Sequence, residues 1–170
     1  MAYAVVKVGK MASKNVDAYL RSVKLSADVE NGGHVVLGNP VAGDLNTYDC
    51  AAPTDVTKQE VLLVEAPVLV EINGYRIDVE DPRQFINKSG QVVRARHLKV
   101  GDEVTITVDG FSAAPTVGKY AVPANGATKL APAADLTGGT VVAYEVVSQT
   151  SIAIGTEFVT AYKLRVVKSV

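Results

Sequence analysis

Residues 94–111, RARHLKVGDEVTITVDGF, carry the clearest architectural signal in the chain. Leu98, Val100, Val104, Ile106 and Val108 are apolar, and Thr105, Thr107 and Asp109 alternate with the last three. A period of two is that of a half-buried strand, whose successive side chains point to opposite faces. Gly101-Asp102 interrupts the run with residues suited to a tight turn, because Gly enters positive φ cheaply and Asp bonds its own backbone. Strand, turn and strand predict a hairpin of the kind that builds small β-barrels and sandwiches. The stretch has no chemistry of its own.

The composition points the same way. The 170 residues are enough to bury a core without staples and fit one domain, 1–170. The apolar fraction is 48%, largely Val and Ala, with no Trp, and branched Val favours the pleated surface of a sheet. Fourteen Gly and seven Pro supply turns. The expectation is a mainly β protein, a small β-barrel or sandwich built from hairpins. Seventeen basic and 18 acidic residues leave a net charge of −1 with no block of either sign. This excludes the basic footprint of direct nucleic-acid binding and a polybasic membrane anchor. No apolar run approaches a membrane span, and MAYAVVKVGK has no apolar signal core, so a soluble protein made in the cytoplasm is expected.

On either side of 94–111 the chain divides into short elements. Residues 1–15 read as an N-terminal arm holding a short strand at 2–8, with a link at 11–15. A helical turn precedes a strand over 22–30. Asn31-Gly32-Gly33 reads as a hairpin turn, and 34–37 as the returning strand, ending at Gly38-Asn39-Pro40. Residues 43–53 are polar and turn-rich. Residues 61–72, VLLVEAPVLVEI, are the most apolar stretch, and Pro67 divides it into two short strands because it lacks an amide donor. Asn73-Gly74 is a second hairpin signal leading into 75–79. Asp81 as cap, Pro82 in the first helical position and Gly90 beyond predict a short helix, 82–88, with Phe85 and Ile86 facing the core.

Residues 112–139, SAAPTVGKYAVPANGATKLAPAADLTGG, read as a long Ala/Pro/Gly-rich loop, pinned at Tyr120, Val122 and Leu130. The C-terminal hairpin, 140–170, has strands at 140–147 and 157–168 around Gly155. In the second, Phe158, Thr160, Tyr162, Leu164 and Val166 share one face, and Val159, Ala161, Lys163, Arg165 and Val167 the other.

Chemical motifs are weak. His34, His97 and Cys50 are too few and too scattered for a zinc site, which needs three or four directed ligands. Asp78, Glu80 and Asp81 lack calcium-loop spacing and read as a hairpin exit and a helix cap. Adjacent Asp102 and Glu103 point to opposite faces of a strand and cannot act as a carboxylate pair. Nothing around Cys50 matches a nucleophile motif, and the glycines form no phosphate loop. No catalytic, cofactor-binding or metal-ligating residue is assigned, and no cofactor is expected. An enzyme would require Cys50 or Asp49 to meet His34 or His97 within hydrogen-bond reach.

Residues 26–38, SADVENGGHVVLG, with the later VLLVEAPVL run, Phe85-Ile86-Asn87-Lys88-Ser89-Gly90-Gln91, Arg94-Ala95-Arg96-His97-Leu98 and the Gly101-Asp102 turn, carry a family resemblance. In this order they resemble small tailed-bacteriophage structural proteins, the capsid decoration (cement) and minor head proteins. The likeness spans 20–111, and nothing from Ser112 onward matches. It implies a non-enzymatic virion protein that binds the major capsid protein at the capsid surface and stabilises the head. It also implies a homo-oligomer on the capsid, with trimers common at local threefold sites, and synthesis in the bacterial host cytoplasm. Edge strands or arms would make the contacts, with 2–8 and 112–139 as the candidates. The alternative is a β-sandwich module binding carbohydrate or another surface polymer, disfavoured by the absence of Trp and the scattering of Tyr.

Overall fold

The computed structural model of the protein describes residues 2–72 and 75–170. Five strands close a small barrel. They are β2 (Leu20–Leu25), β3 (His34–Val41), β4 (Asp44–Ala51), β5 (Leu62–Val64) and β8 (Val92–Arg96), in the spatial order β2-β4-β3-β5-β8. β2 and β4 run parallel, and the other neighbours run antiparallel. Alternate residues point inward, so Val23, Leu25, Val35, Cys50, Leu62, Val64 and Ala95 fill the interior. A barrel this small is packed solid by side chains and leaves no channel.

A six-stranded antiparallel sheet lies against the barrel. Its strands are β1 (Val6–Val8), β9 (Glu103–Thr107), β10 (Tyr120–Pro123), β11 (Leu130–Ala133), β12 (Ala143–Ile154) and β13 (Glu157–Lys168), in the order β1-β9-β13-β12-β10-β11. Its inner face presents Val104, Ile106, Tyr144, Val146, Leu164 and Val166 to Val36, Val61 and Leu63 on the outside of the barrel. β5 is therefore covered twice. Leu62 and Val64 enter the barrel while Val61 and Leu63 enter the layer between barrel and sheet, which accounts for an unbroken apolar run where alternation would otherwise be seen. Each such side chain contributes about 1.5–3 kcal/mol by leaving water. A separate two-stranded ribbon joins β6 (Leu69–Ile72) to β7 (Tyr75–Asp78).

The mainly β class is the one expected. Pro67 divides β5 from β6, and β12 and β13 pair around Gly155. β6 and β7 pair antiparallel, with the Asn73-Gly74 signal between them lying outside the described residues.

Other expectations are corrected. Gly101-Asp102 does not close a hairpin: β8 belongs to the barrel and β9 to the sheet, so the turn carries the chain across from one to the other. Gly101 sits at φ 95°, and the buried Asp102 carboxylate accepts from Lys99 N at 2.9 Å and Ala12 N at 2.8 Å. Alternation marks a half-buried strand without saying which strand it joins. Asn31-Gly32-Gly33 is likewise a turn without a hairpin, since β2 pairs with β4 and β8 whereas β3 pairs with β4 and β5. β2 itself is shifted to Leu20–Leu25.

β3 passes through Gly38-Asn39-Pro40 with an irregular register, and the turn comes at Ala42-Gly43. The polar stretch 43–53 supplies β4, which buries Thr47 and Cys50 and exposes much of the rest. The helix at 82–88 is a single 3-10 turn, Pro82–Gln84. Asp81 caps it as expected, accepting from Arg83 N at 2.9 Å, but Phe85 is already extended and buried, and Ile86 is half-buried. The stretch 112–139 contains the paired strands β10 and β11, in which Ala121 and Leu130 are fully buried. The arm strand is real too, but β1 is hydrogen-bonded into the sheet beside β9.

Candidate functional site

The chemistry-bearing side chains are drawn into separate structural roles. Cys50 points into the barrel, where its thiol lies 3.4 Å from the Lys24 carbonyl, and burial pushes its pKa up to about 11 with help from the neighbouring Asp49 charge. His34 faces the opposite way, between barrel and sheet, with Nε2 2.7 Å from the Tyr144 hydroxyl. His97 follows β8 and places Nδ1 2.7 Å from Glu60 Oε1. Each group thus has its own partner, and neither histidine is paired with Cys50 or Asp49.

The acidic candidates also separate. Asp102 ties down the Lys99 and Ala12 amides, whereas Glu103 forms an ion pair with Lys163 at 2.9 Å that lowers its pKa. Asp81 is held by the Arg83 guanidinium and amide, which lower its pKa, and Glu80 is exposed in the adjoining bend. Asp78 lies in β7. Among the described residues no three His, Cys, Asp or Glu side chains converge in a metal-binding group.

Sequence reasoning missed two buried polar arrangements. Asn31 behaves like an extra strand residue: its amide donates to Ala66 O and accepts from Ala66 N, both at 2.9 Å, while Asn87 Nδ2 donates to Asn31 Oδ1 at 3.1 Å and Val29 O at 2.9 Å. Arg96, almost fully buried, donates to Glu65 at 2.9 Å and reaches Ser13. The Asn-Gly pair and the Arg-x-Arg pattern were visible, but neither names a partner more than 30 residues away.

What the surface does offer is apolar material on projecting elements. The β12–β13 hairpin runs past the core, so near its tip Phe158 is 78% exposed, although the unbroken alternation of β13 keeps it on the same face as Tyr162 and Leu164. A register shift between Val146 and Ser148 turns Ile152 and Ile154 to the other face, where they pack with Val5, Val159 and Ala161. The β6–β7 ribbon carries Val70 and Ile77 as a cross-strand pair, both partly exposed, and Tyr75 at 75% exposure. Arg83 connects the two projections: it bonds Asp81, just after the ribbon, and its Nη1 donates to Glu157 Oε2 at 2.6 Å in the hairpin tip.

Among the described residues no helix is long and apolar enough to cross a membrane. No protein-family model, curated protein or solved structure matches the chain.

Proposed function

We propose that this is a non-enzymatic structural protein of a tailed-phage head, a decoration or minor head protein that binds the major capsid protein and stabilises the shell. The observation that carries the reading is the contrast between interior and surface. The reactive side chains are each engaged inside the fold, His34 with Tyr144 across the barrel–sheet layer, Cys50 within the barrel and His97 with Glu60, while two neighbouring hairpins project apolar residues that the fold does not bury. A protein that binds a repeating shell needs such projections, because exposed apolar groups on a rigid scaffold supply the anchors of an interface. The resemblance over 20–111 supports the same reading: all five barrel strands lie inside that span, and β10 to β13, beyond it, extend the body with the protruding hairpin. On the capsid the protein acts as a homo-oligomer, a trimer where it occupies local threefold sites.

The test is co-sedimentation with mature shells lacking the protein and with their unexpanded precursors. Saturable binding at a fixed ratio to the major capsid protein, favouring the expanded shell, is the expected result. Absence of binding to both shells overturns the reading.

A further inference from the structure

The two ends of the six-stranded sheet are finished differently. At the β11 end, the Leu130 carbonyl accepts from Ser112 N at 2.8 Å, and Pro132, two residues on, has no amide to offer. A proline and a covering segment are standard ways of closing an edge against further strands. At the β1 end, Thr107 N donates to the Val5 carbonyl and Gly9 N donates to Glu103 O, so Val5, Lys7 and Gly9 turn their peptide groups toward β9. Alternation then directs the Val6 amide and carbonyl and the Val8 amide away from the sheet. The Val8 carbonyl confirms the direction, since it holds the Lys14 ammonium at 3.0 Å.

At the N-terminal end of this edge the Ala4 amide is taken by the Glu30 carboxylate at 2.7 Å, which is itself paired with Lys129, and from Val6 onward the edge is open and basic. Lys7, Lys10 and Lys14 are exposed along it, and among the described residues none of them forms an ion pair. Beside Val6 the surface dips into a cleft of about 190 Å³ lined by Ala66, Pro67, Val68 and Pro82 together with Asn31 and Glu65, whose polar groups are taken up by Ala66 and Arg96.

We propose that the β1 edge docks an extended, acidic segment of another protein chain, which joins the sheet as an added strand. Main-chain bonds to Val6 and Val8 hold the segment, one of its apolar side chains enters the cleft, and its carboxylates meet the lysines. The incoming amide takes the Val8 carbonyl from Lys14 and frees that ammonium for a carboxylate. A second copy of this protein is the poorer occupant, because antiparallel pairing of two β1 strands sets lysines against lysines. The inference rests on the capsid-binding reading in one respect: it assigns the segment to the major capsid protein.

Val8→Pro tests the backbone contact, since Val8 gives β9 no amide bond and the substitution removes the outward donor, and Val8→Ala, which trims the same partly buried side chain but keeps the amide, controls for the lost packing. A Lys7→Glu, Lys10→Glu double variant tests the charge. Each is titrated against shells lacking the protein and against a synthetic peptide of alternating glutamate and valine, with Val6 and Val8 amide signals followed by NMR and folding checked by thermal unfolding. The expected result is that Val8→Pro and the lysine variant stay folded and bind shells and peptide about tenfold more weakly, the scale of one lost backbone bond. Should Val8→Pro unfold, the lysine variant and the amide shifts of the unaltered protein decide. Peptide binding at Val6 and Val8 without shell binding upholds the docking edge and removes the capsid reading. Shell binding with unaltered affinity in the folded Val8→Pro and lysine variants, a dimer formed through β1, or a peptide that leaves both amides unmoved overturns the proposal.

Discussion

His34 Nε2 and the Tyr144 hydroxyl lie 2.7 Å apart, and their bond joins the first residue of a barrel strand to the central part of the sheet. Both side chains are fully buried, with the His34 ring edge-on to Tyr144. Burial pushes the His34 pKa down to about 4 and raises that of Tyr144 well above its ordinary value, so the pair is neutral at pH 7. Contacts with the Thr128 and Gly32 backbone favour a second proton on the ring, but burial outweighs them.

Acid should therefore weaken the fold through His34. Between its ordinary value of 6.5 and about 4, the unfolded chain binds a proton on His34 that the folded chain does not. With more protons on the unfolded state, stability falls as pH falls, by a total of about 3 kcal/mol for this group. Urea midpoints measured from pH 7 to pH 4 should decline across that window. His34→Gln, which keeps a group able to bond Tyr144 and cannot titrate, should flatten this part of the profile. An equal decline in the variant would assign the effect to the carboxylates.

Tyr144→Phe tests the same bond from the sheet side. It removes the partner of His34 Nε2 and leaves that ring nitrogen buried without one. A loss of about 1–3 kcal/mol in equilibrium unfolding is expected. A neutral effect would mean that water reaches His34.

Asn31 should be far more sensitive than a turn residue. Its amide makes paired bonds to Ala66, and the side chain is almost fully buried. Asn31→Asp keeps the shape but puts a carboxylate oxygen against the Ala66 carbonyl. About 3 kcal/mol or more is expected to be lost in denaturant unfolding, as for a buried charge facing the wrong partner. An ordinary exposed turn position would lose less than about 0.5 kcal/mol.

Cys50 should be an inert thiol. It lies in the barrel interior, and its pKa of about 11 leaves little thiolate at neutral pH. Labelling with a chromogenic disulfide should proceed only through unfolding, accelerating in urea along the unfolding curve. Rapid labelling of the native protein would contradict this placement.

The legible parts of the fold were the local ones. Pro67 divides a strand wherever it occurs in a paired segment, Gly155 marks a tight turn, and Asp81 before Pro82 marks a cap. Partner choice was not legible. Within 94–111 the alternation holds in β9, whereas Leu98 and Val100 lie outside any strand and Val108 begins a 3-10 turn. Asp102 sends the chain from barrel to sheet through a bond to Ala12, 90 residues away. The stretch 112–139 hid two strands because their inward residues include Ala121, too small to mark a face by hydrophobicity alone. The same limit applied to the surface: the periodicity of β13 placed Phe158 beside Tyr162, and only the length of the hairpin beyond the core shows that nothing covers it.

Phe158 consequently separates binding from folding. At 78% exposure its side chain contributes little to the core, so Phe158→Ser should change stability by no more than about 0.5 kcal/mol. An aromatic anchor at an interface is often worth more than about 2 kcal/mol, so the same substitution should weaken shell binding by roughly thirtyfold. Arg83 supports the tip from behind through Glu157, and Glu157→Gln should produce a smaller loss by loosening that support without removing the anchor. Binding isotherms of the three proteins against shells lacking the protein, with unfolding curves in parallel, give both quantities. Unaltered binding by the folded Phe158 variant would move the contact away from the hairpin tip and onto the β6–β7 ribbon or the β1 edge.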